Sequence, residues 1–330
     1  MRTNPIVRKF YPTPIINFSE VKADLSSKIE NFPKPDNKTN YPKVILIDKG
    51  IRSNLLSPWV KEKSESLGDA VISEYHADEM ASILVGSNFL NEQPYLENDG
   101  CNIFDIWIPS SIDSFDDHFD SVSEFMDWLY LEIQSARELG YRVISMSINF
   151  QSVASDHEYS FLASRIDEIS TKLGVMFIIS TGNLEAHKYR SEWPKDENDI
   201  FKMLARFPHN DRILQPADSV SALTVGAINH VNNEVIQKGA PTRYTLRGPS
   251  TSYGIKPDVV HVGGIGDFTN SYFFTIDGTN QILSTSQGTS LSAPHVAKTV
   301  ATIDHQTNQQ LSIYTLKALI LHNASVPKCM

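Results

Sequence analysis

Short apolar runs rich in β-branched residues alternate along this chain with longer stretches in which apolar positions recur every three to four residues. Short runs bounded by turn-forming residues are typical of strands buried on both faces of a parallel sheet. The longer periodic stretches are typical of amphipathic helices. Three of the apolar runs cover residues 43–47, 143–148 and 175–179. The pattern therefore predicts strands and helices in alternation.

Polar residues follow the apolar runs, and the predicted parallel sheet places them together at the carboxyl ends of its strands. The strand from Lys43 ends at Asp48, and the strand from Val175 ends at Gly182-Asn183. The carboxyl ends of parallel strands lie on the same side of a sheet, where α/β proteins hold their binding and catalytic groups. We therefore expect Asp48 and Asn183 on that side.

Several helix boundaries can be read from the sequence. A helix is predicted to begin at His76. Ser121–Glu124 and Ser155–Glu158 both have the capping-box spacing that begins a helix, and the second of these helices is predicted to end at Gly174.

Four further helices and one hairpin are expected. The helices cover residues 20–29, 199–206, 292–305 and 312–322, and the hairpin turns at Asp277-Gly278. The first of these helices lies in a segment rich in Pro and Asn, residues 1–42, which we interpret as an N-terminal arm.

Because strands and helices alternate, right-handed βαβ crossovers are expected, with helices on both faces of the sheet. The predicted fold class is thus α/β, with a doubly wound and mostly parallel sheet. Residues 43–330 are predicted to form one domain, behind the arm of residues 1–42.

Composition restricts the partners. The chain has 29 Lys and Arg against 39 Asp and Glu, a formal net charge of −10, so neither nucleic acid nor an anionic membrane is expected as the main partner. No stretch approaches the roughly 20 apolar residues that span a bilayer, and the N-terminus lacks the apolar region of a signal peptide. We therefore predict a cytoplasmic protein. Cys101 and Cys329 are too few for a disulfide framework.

The chemistry centres on Ser290, which follows a Gly-Thr step and precedes a run able to form a helix. A hydroxyl at this position lies at the positive end of a helix, among outward-pointing backbone N–H groups. That setting suits a nucleophile whose reaction builds up an oxyanion. A serine nucleophile needs a base, and the base needs an orienting carboxylate. His76 and Asp48 are the candidates.

The segment Gln287–Ala297 resembles the catalytic-serine motif of the subtilisin family of serine proteases, the subtilases. The segments that end at Asp48 and begin at His76 resemble the aspartate and histidine motifs, in the chain order of that family. The strand that ends at Asn183 resembles the oxyanion-hole motif. The resemblance is to the compact intracellular bacterial members, and it implies a subtilisin-like fold and a serine endopeptidase.

The resemblance implies that Asp48, His76 and Ser290 form the catalytic triad. It also implies that the Asn183 side chain and the Ser290 N–H hold the oxyanion. The resemblance also implies a set of substrate-binding residues: Ser147, Ile148, Asn149, Ser180, Thr181, Gly182 and Thr289. No cofactor or metal is required. Structural calcium is frequent in the family, although no site for it is readable in this sequence. Protein or peptide substrates are implied, and an ATPase or regulatory partner is compatible with the family. Secreted members commonly carry a folded inhibitory propeptide; residues 1–42 are too short for one and are either an arm alone or a short pro-segment.

Three departures from the family pattern support an alternative. Lys49 follows Asp48 where Ser or Thr is usual, Ala77-Asp78-Glu79 replaces Gly-Thr-His, and Asn149 stands where a glycine usually lines the primary specificity pocket. The alternative is a catalytically degenerate peptide-binding or regulatory module on the same fold. Asp78 and Glu79 are predicted to be exposed acids that raise the pKa of His76.

Two loops carry open interpretations. The acidic residues near 105–120 either attract basic peptides or form a solvated loop; they are Asp105, Asp113, Asp116, Asp117 and Asp120. The insertion at residues 184–214 either covers the substrate cleft or lies on the surface. His295, within the serine motif, is expected to be a packing residue.

Overall fold

The computed structural model describes residues 16–17, 23–29, 31–64, 75–108, 115–206, 211–248, 254–265, 273–278 and 282–325. The strands are β1 (Ile16–Asn17), β2 (Ala23–Lys28), β3 (Lys43–Asp48), β4 (Val60–Lys63), β5 (Asn102–Trp107), β6 (Val143–Met146), β7 (Asn149–Phe150), β8 (Met176–Ser180), β9 (Leu223–Ile228), β10 (Val259–Val262), β11 (Phe274–Asp277) and β12 (Ile282–Thr285). The α-helices are α1 (His76–Asn91), α2 (Val122–Glu138), α3 (Phe161–Leu173), α4 (Glu197–Arg206), α5 (Thr289–Gln306) and α6 (Ile313–Asn323).

Seven strands form one parallel sheet, in the order β10-β9-β8-β6-β3-β5-β4. β3 lies near the middle, since its Val44 pairs with Ile103 of β5 on one side and with Val143 of β6 on the other. The apolar, β-branched runs form the central strands because both of their faces are covered.

The side chains of β3 alternate between two cores. Val44 and Leu46 are buried in the core that α1 and α5 cover, and Ile45 and Ile47 in the core that α2 and α3 cover. Helices thus pack on both faces of the sheet, which confirms the predicted doubly wound α/β architecture.

The Ser121 hydroxyl caps α2 as predicted, since it accepts from the Glu124 N–H at 3.2 Å, whereas the Glu124 carboxylate accepts from the Asp120 N–H, one residue before the cap. The prediction for α3 was wrong at its start. The hydroxyl of Ser155 accepts from His157 and Glu158 N–H groups in a turn, and the helix begins five residues later behind Ser160. Asp218, which precedes β9, accepts hydrogen bonds from both the N–H and the hydroxyl of Ser160. These bonds favour Ser160 over Ser155 as the residue that caps the helix.

The helix predicted over residues 20–29 was also wrong. Residues 23–28 form β2, which pairs antiparallel with β12. An unpaired strand edge offers a row of N–H and C=O groups, and pairing with it outweighs a weak local helix preference. The hairpin is present, but Asp277 is the last paired residue of β11 and faces Ile282, so its turn is longer than two residues.

None of the helices in the described ranges has the length and hydropathy needed to cross a membrane.

Candidate active site

Three adjacent strands, β3, β6 and β8, deliver the predicted site residues to one side of the sheet. Asp48 ends β3, Ser147 follows β6, and Asn183 lies three residues beyond β8. Helix α5, which carries Ser290, packs against all three strands and against α1, which carries His76. The topology therefore gathers residues that lie 242 positions apart in sequence, from 48 to 290.

Asp48 and His76 are in direct contact and buried. The Nδ1 atom of His76 lies 2.8 Å from Oδ1 and 2.7 Å from Oδ2 of Asp48. A carboxylate only accepts hydrogen bonds, so Nδ1 carries the proton and Nε2 of a neutral His76 is the basic nitrogen. The backbone N–H of Lys49 also donates to Asp48, at 2.8 Å. That contact orients the carboxylate without a hydroxyl at position 49.

Ser290 is the second residue of α5 and is 8% exposed. Its hydroxyl donates to the carbonyl oxygen of Ser147 at 3.1 Å, and the Ser147 hydroxyl donates to the carbonyl oxygen of Ser290 at 2.9 Å. The structure thus places Ser290 against Ser147, and Asp48 against His76, as two hydrogen-bonded pairs.

The side chain of Asn183 faces the start of α5. Its Oδ1 accepts from the backbone N–H and the hydroxyl of Thr289, at 2.9 and 3.0 Å. With Oδ1 held in this way, Nδ2 lies so near Gly288 that an added Cβ there would be 3.1 Å from it. A donor side chain is therefore fixed beside the helix N-terminus that presents Ser290.

The predicted substrate-binding residues are all buried, Gly182 included. The others are Ser147, Ile148, Asn149, Ser180, Thr181 and Thr289. Thr181 is used within the fold, because its N–H donates to Val225 and its carbonyl oxygen accepts from Leu214. Gly182 has φ of +93°, and a side chain there would press on Leu214.

Asn149 and Ser180 hold each other. The Asn149 amide donates to the Ser180 carbonyl oxygen at 2.9 Å, and the Ser180 hydroxyl donates to Asn149 Oδ1 at 3.0 Å. The side chain that replaces the usual glycine is thus turned against the end of β8. β7, which contains Asn149, also pairs antiparallel with β1 of the N-terminal arm, Asn17 facing Asn149 and Ile16 facing Phe150.

The acids near His76 were wrongly predicted to be exposed. Asp78 and Glu79 are both 0% exposed, and so is Asp105 on β5. Burial raises the pKa of Asp78, against the lowering effect of the Ser53 and Arg52 N–H groups. Burial also raises the pKa of Asp105, to about 6. Asp105 is thus not part of a solvated acidic loop, and Asp113 lies outside the described residues.

His295 is buried as a packing residue, stacked on His261 with ring centroids 4.6 Å apart. Burial lowers the pKa of both histidines, so both stay neutral at pH 7.

Sequence reasoning missed how the insertion is anchored. The carboxylate of Asp211 accepts from Arg190 and from Arg247, each at 2.7 Å, and Arg190 also donates to the Thr242 carbonyl oxygen. The cluster ties the insertion to the segment that pairs with Asn183. Its charges are far apart in sequence, so no local pattern indicated it.

Comparison with known proteins places these observations in a family. The model of the Subtilase family matches residues 60–328 of the chain. An uncharacterized protein of Sinorhizobium fredii, y4bN, is 23% identical over 224 residues, which cover 58% of this chain and 50% of that protein. The match therefore spans about half the length of that curated relative.

Solved structures show the same fold. A mutant of the protease domain of PatA has a TM-score of 0.55 and 16% identity, over 90% of this chain and 91% of that one. The prenylagaramide maturation protease PagA has a TM-score of 0.54 and 16% identity, over 86% of this chain and 84% of that one. MycP1 without its N-terminal propeptide has a TM-score of 0.50 and 17% identity, over 85% and 82%.

Proposed function

Since this chain belongs to the subtilase family of serine proteases, we propose that it is a serine endopeptidase that hydrolyses peptide bonds through an acyl-enzyme. The observation that carries the proposal is the buried contact between Asp48 and Nδ1 of His76, on the side of the sheet where α5 presents Ser290. That contact gives His76 the tautomer that a general base requires.

In the proposed cycle, Ser290 rotates away from the Ser147 carbonyl oxygen and gives its proton to Nε2 of His76 as it attacks the substrate carbonyl carbon. The developing charge on the substrate oxygen is held by Nδ2 of Asn183 and the Ser290 N–H. His76 then protonates the leaving amine. Water, activated by His76, hydrolyses the ester bond to Ser290 and releases the second product. No metal is needed for these steps.

The degenerate module has less support. The replacement of the usual hydroxyl by Lys49 leaves Asp48 oriented, because the Lys49 backbone N–H donates to it. Asp78 and Glu79 are buried beside the proposed base and leave the contact between Asp48 and His76 intact.

The proposed endopeptidase activity should be tested first on a denatured protein as substrate. Wild-type protein is expected to cleave unfolded casein and to react stoichiometrically with a fluorophosphonate probe. If the wild-type protein is folded and does neither, the endopeptidase proposal is wrong and the catalytically degenerate module is favoured.

Asn183→Ala is expected to lower kcat about 10²–10³-fold with little change in KM, because an oxyanion donor acts in the transition state. Steady-state kinetics on a peptide ester measure the two constants separately.

Asn183→Asp is the matched control. It keeps the Oδ1 acceptor for Thr289 but replaces the Nδ2 donor by an oxygen, so kcat should fall at least as far as in the alanine variant. A normal kcat in Asn183→Asp would show that the side chain only supports Thr289.

The substrate is proposed to be a protein or peptide that binds in extended form. β7 already pairs with an extended segment, because β1 of the arm lies antiparallel to it. β2 of the same arm pairs with β12, and the chain reaches Ser290 five residues after β12 ends at Thr285. The arm thus pairs with two strands, β7 and β12, that lie close in sequence to Ser147 and to Ser290.

We therefore propose that the arm acts as a short pro-segment that competes with substrate. Deleting residues 1–19 removes β1 and keeps β2, and the truncated protein is expected to acylate with a fluorophosphonate several-fold faster than the full chain. A synthetic peptide of residues 11–28 should inhibit the truncated protein competitively, whereas a scrambled peptide should not. Equal rates for the two proteins would contradict this role.

A further inference from the structure

Three consecutive backbone N–H groups, those of residues 51–53 in the loop that follows Asp48, all donate to buried carboxylates. The Ile51 N–H donates to Oδ2 of Asp105 at 2.9 Å. The N–H groups of Arg52 and Ser53 both donate to Oδ1 of Asp78, each at 2.9 Å. We call this arrangement, the loop 51–53 with Asp78 and Asp105, the carboxylate clamp.

The two carboxylates come from the elements that carry and support the catalytic pair. Asp78 lies two residues after His76, in the first turn of α1. Asp105 lies on β5, where it pairs with Leu46 of β3. The clamp therefore joins the loop that leaves Asp48 to the helix that presents His76 and to the neighbouring strand.

A further contact restricts the same loop. Gly50 has φ of +88°, and a Cβ on it would overlap the Trp107 ring. The indole N–H of Trp107 donates to Oδ2 of Asp105 at 2.7 Å. The loop is thus held from α1, from β5 and from the ring of Trp107.

Keeping these acids ionised has a cost. Within the described part of the chain, Oδ2 of Asp78 and Oδ1 of Asp105 have no hydrogen-bond partner, although both atoms are buried. A buried carboxylate with an unsatisfied oxygen is unfavourable for stability. The charges around the clamp are the cations Arg52 and Lys63 and the anion Asp48. An arrangement that weakens stability next to a reactive site indicates a role in that site.

We propose that Asp78 and Asp105 are positioning residues, which hold the loop 51–53 so that the Asp48 carboxylate stays against Nδ1 of His76. The inference rests on the proposed function, since it specifies how that same catalytic pair is oriented. Neither residue touches the substrate; both act through Asp48.

The pH dependence follows from the direction of the shift. Asp105 has a pKa of about 6 in the folded protein, above the ordinary value of 3.8, so its proton binds to the folded protein at a pH where the unfolded chain has released it. Its contribution to stability is complete below about 3.8 and is lost as the pH rises through about 6. We expect activity to behave in the opposite way, because the neutral carboxyl is a weaker acceptor for the two N–H groups that donate to its Oδ2. Wild-type kcat/KM should therefore fall more steeply with decreasing pH near pH 6 than the kcat/KM of a variant whose residue 105 cannot take up a proton.

The test compares Asp78→Asn and Asp105→Asn with a matched control, Asp99→Asn. Asp99 also accepts two backbone N–H groups, those of Asn88 and Phe89, at 2.9 Å each, and burial raises its pKa too. It lies by the far end of α1, away from Asp48. The measurements are kcat and KM on a peptide ester, the pH profile, thermal unfolding, and the downfield proton resonance of the His76 Nδ1–H.

We expect kcat to fall about tenfold to a hundredfold in both clamp variants, with KM nearly unchanged, because a small displacement of a catalytic group costs about that much. The His76 proton resonance should shift or broaden, and the acid limb of Asp105→Asn should have a shallower slope than that of wild type. Asp99→Asn should resemble wild type in kcat, slope and resonance.

The proposal is overturned if both clamp variants keep the wild-type kcat, slope and resonance, or if the control loses as much kcat as they do. If one variant does not fold, the other decides by the same criteria. Failure of the proposed function is a different result, since it would appear as wild-type protein that does not acylate at all. The His76 resonance tests the positioning even then.

Discussion

Ser290→Ala will fail to react with a fluorophosphonate probe, and its kcat on a peptide ester will be about 10⁶-fold below that of wild type. The expected loss is this large because the proposed reaction passes through an ester with the Ser290 oxygen, and a methyl group cannot form it. Labelling followed by intact-protein mass spectrometry gives the stoichiometry, and steady-state kinetics give kcat.

Ser292→Ala is the matched control for this experiment. Ser292 lies two residues further along α5, is buried, and donates to the carbonyl oxygens of His261 and Val262. Its loss should affect thermal stability but leave labelling intact. Equal labelling of wild type and Ser290→Ala would show that another nucleophile reacts, and the role given to Ser290 would be wrong.

The elements that could be predicted from sequence are those whose signals are local. The strand that ends at Asp48 and the helix that begins at His76 have the predicted starts or ends, because an apolar run and a turn lie side by side in the chain. The Ser121 cap of α2 forms for the same reason, since its partners are three residues apart.

What sequence could not give depends on partners far away in the chain. The strand β2 exists because β12, more than 250 residues later, has an edge to pair with. Helix α3 begins behind Ser160 rather than behind Ser155 because Asp218 holds Ser160. In both cases the deciding partner lies far away in the sequence, so no pattern within the local segment indicates it.

The acids of the site show the same limit more sharply. Acidic residues are rarely fully buried, so Asp78 and Asp105 are predicted to be exposed when only their identity is known. Their burial becomes tolerable through three N–H groups of residues 51–53, which the fold brings to them. The candidate catalytic residues were recognisable from motifs, but the groups that orient them were not.

Asp48→Asn should lower kcat about 10⁴-fold, because an amide can donate to His76 and then favours the tautomer with the proton on Nε2. The variant also lacks the anion that stabilises the imidazolium, so the acid limb of its residual activity should move to lower pH. Pre-steady-state acylation at several pH values measures both effects, and thermal unfolding checks that the variant is folded.

The double variant Asp48→Asn with Asp78→Asn then relates this pair to the clamp. If Asp78 acts by positioning Asp48, its removal should cost much less in the Asp48→Asn background than in wild type, because the two residues belong to one unit. Independent roles would give additive losses of log kcat. A wild-type kcat in Asp48→Asn would show that Asp48 only ends a strand and has no catalytic role. Both the proposed triad and the positioning role of the clamp would then be wrong.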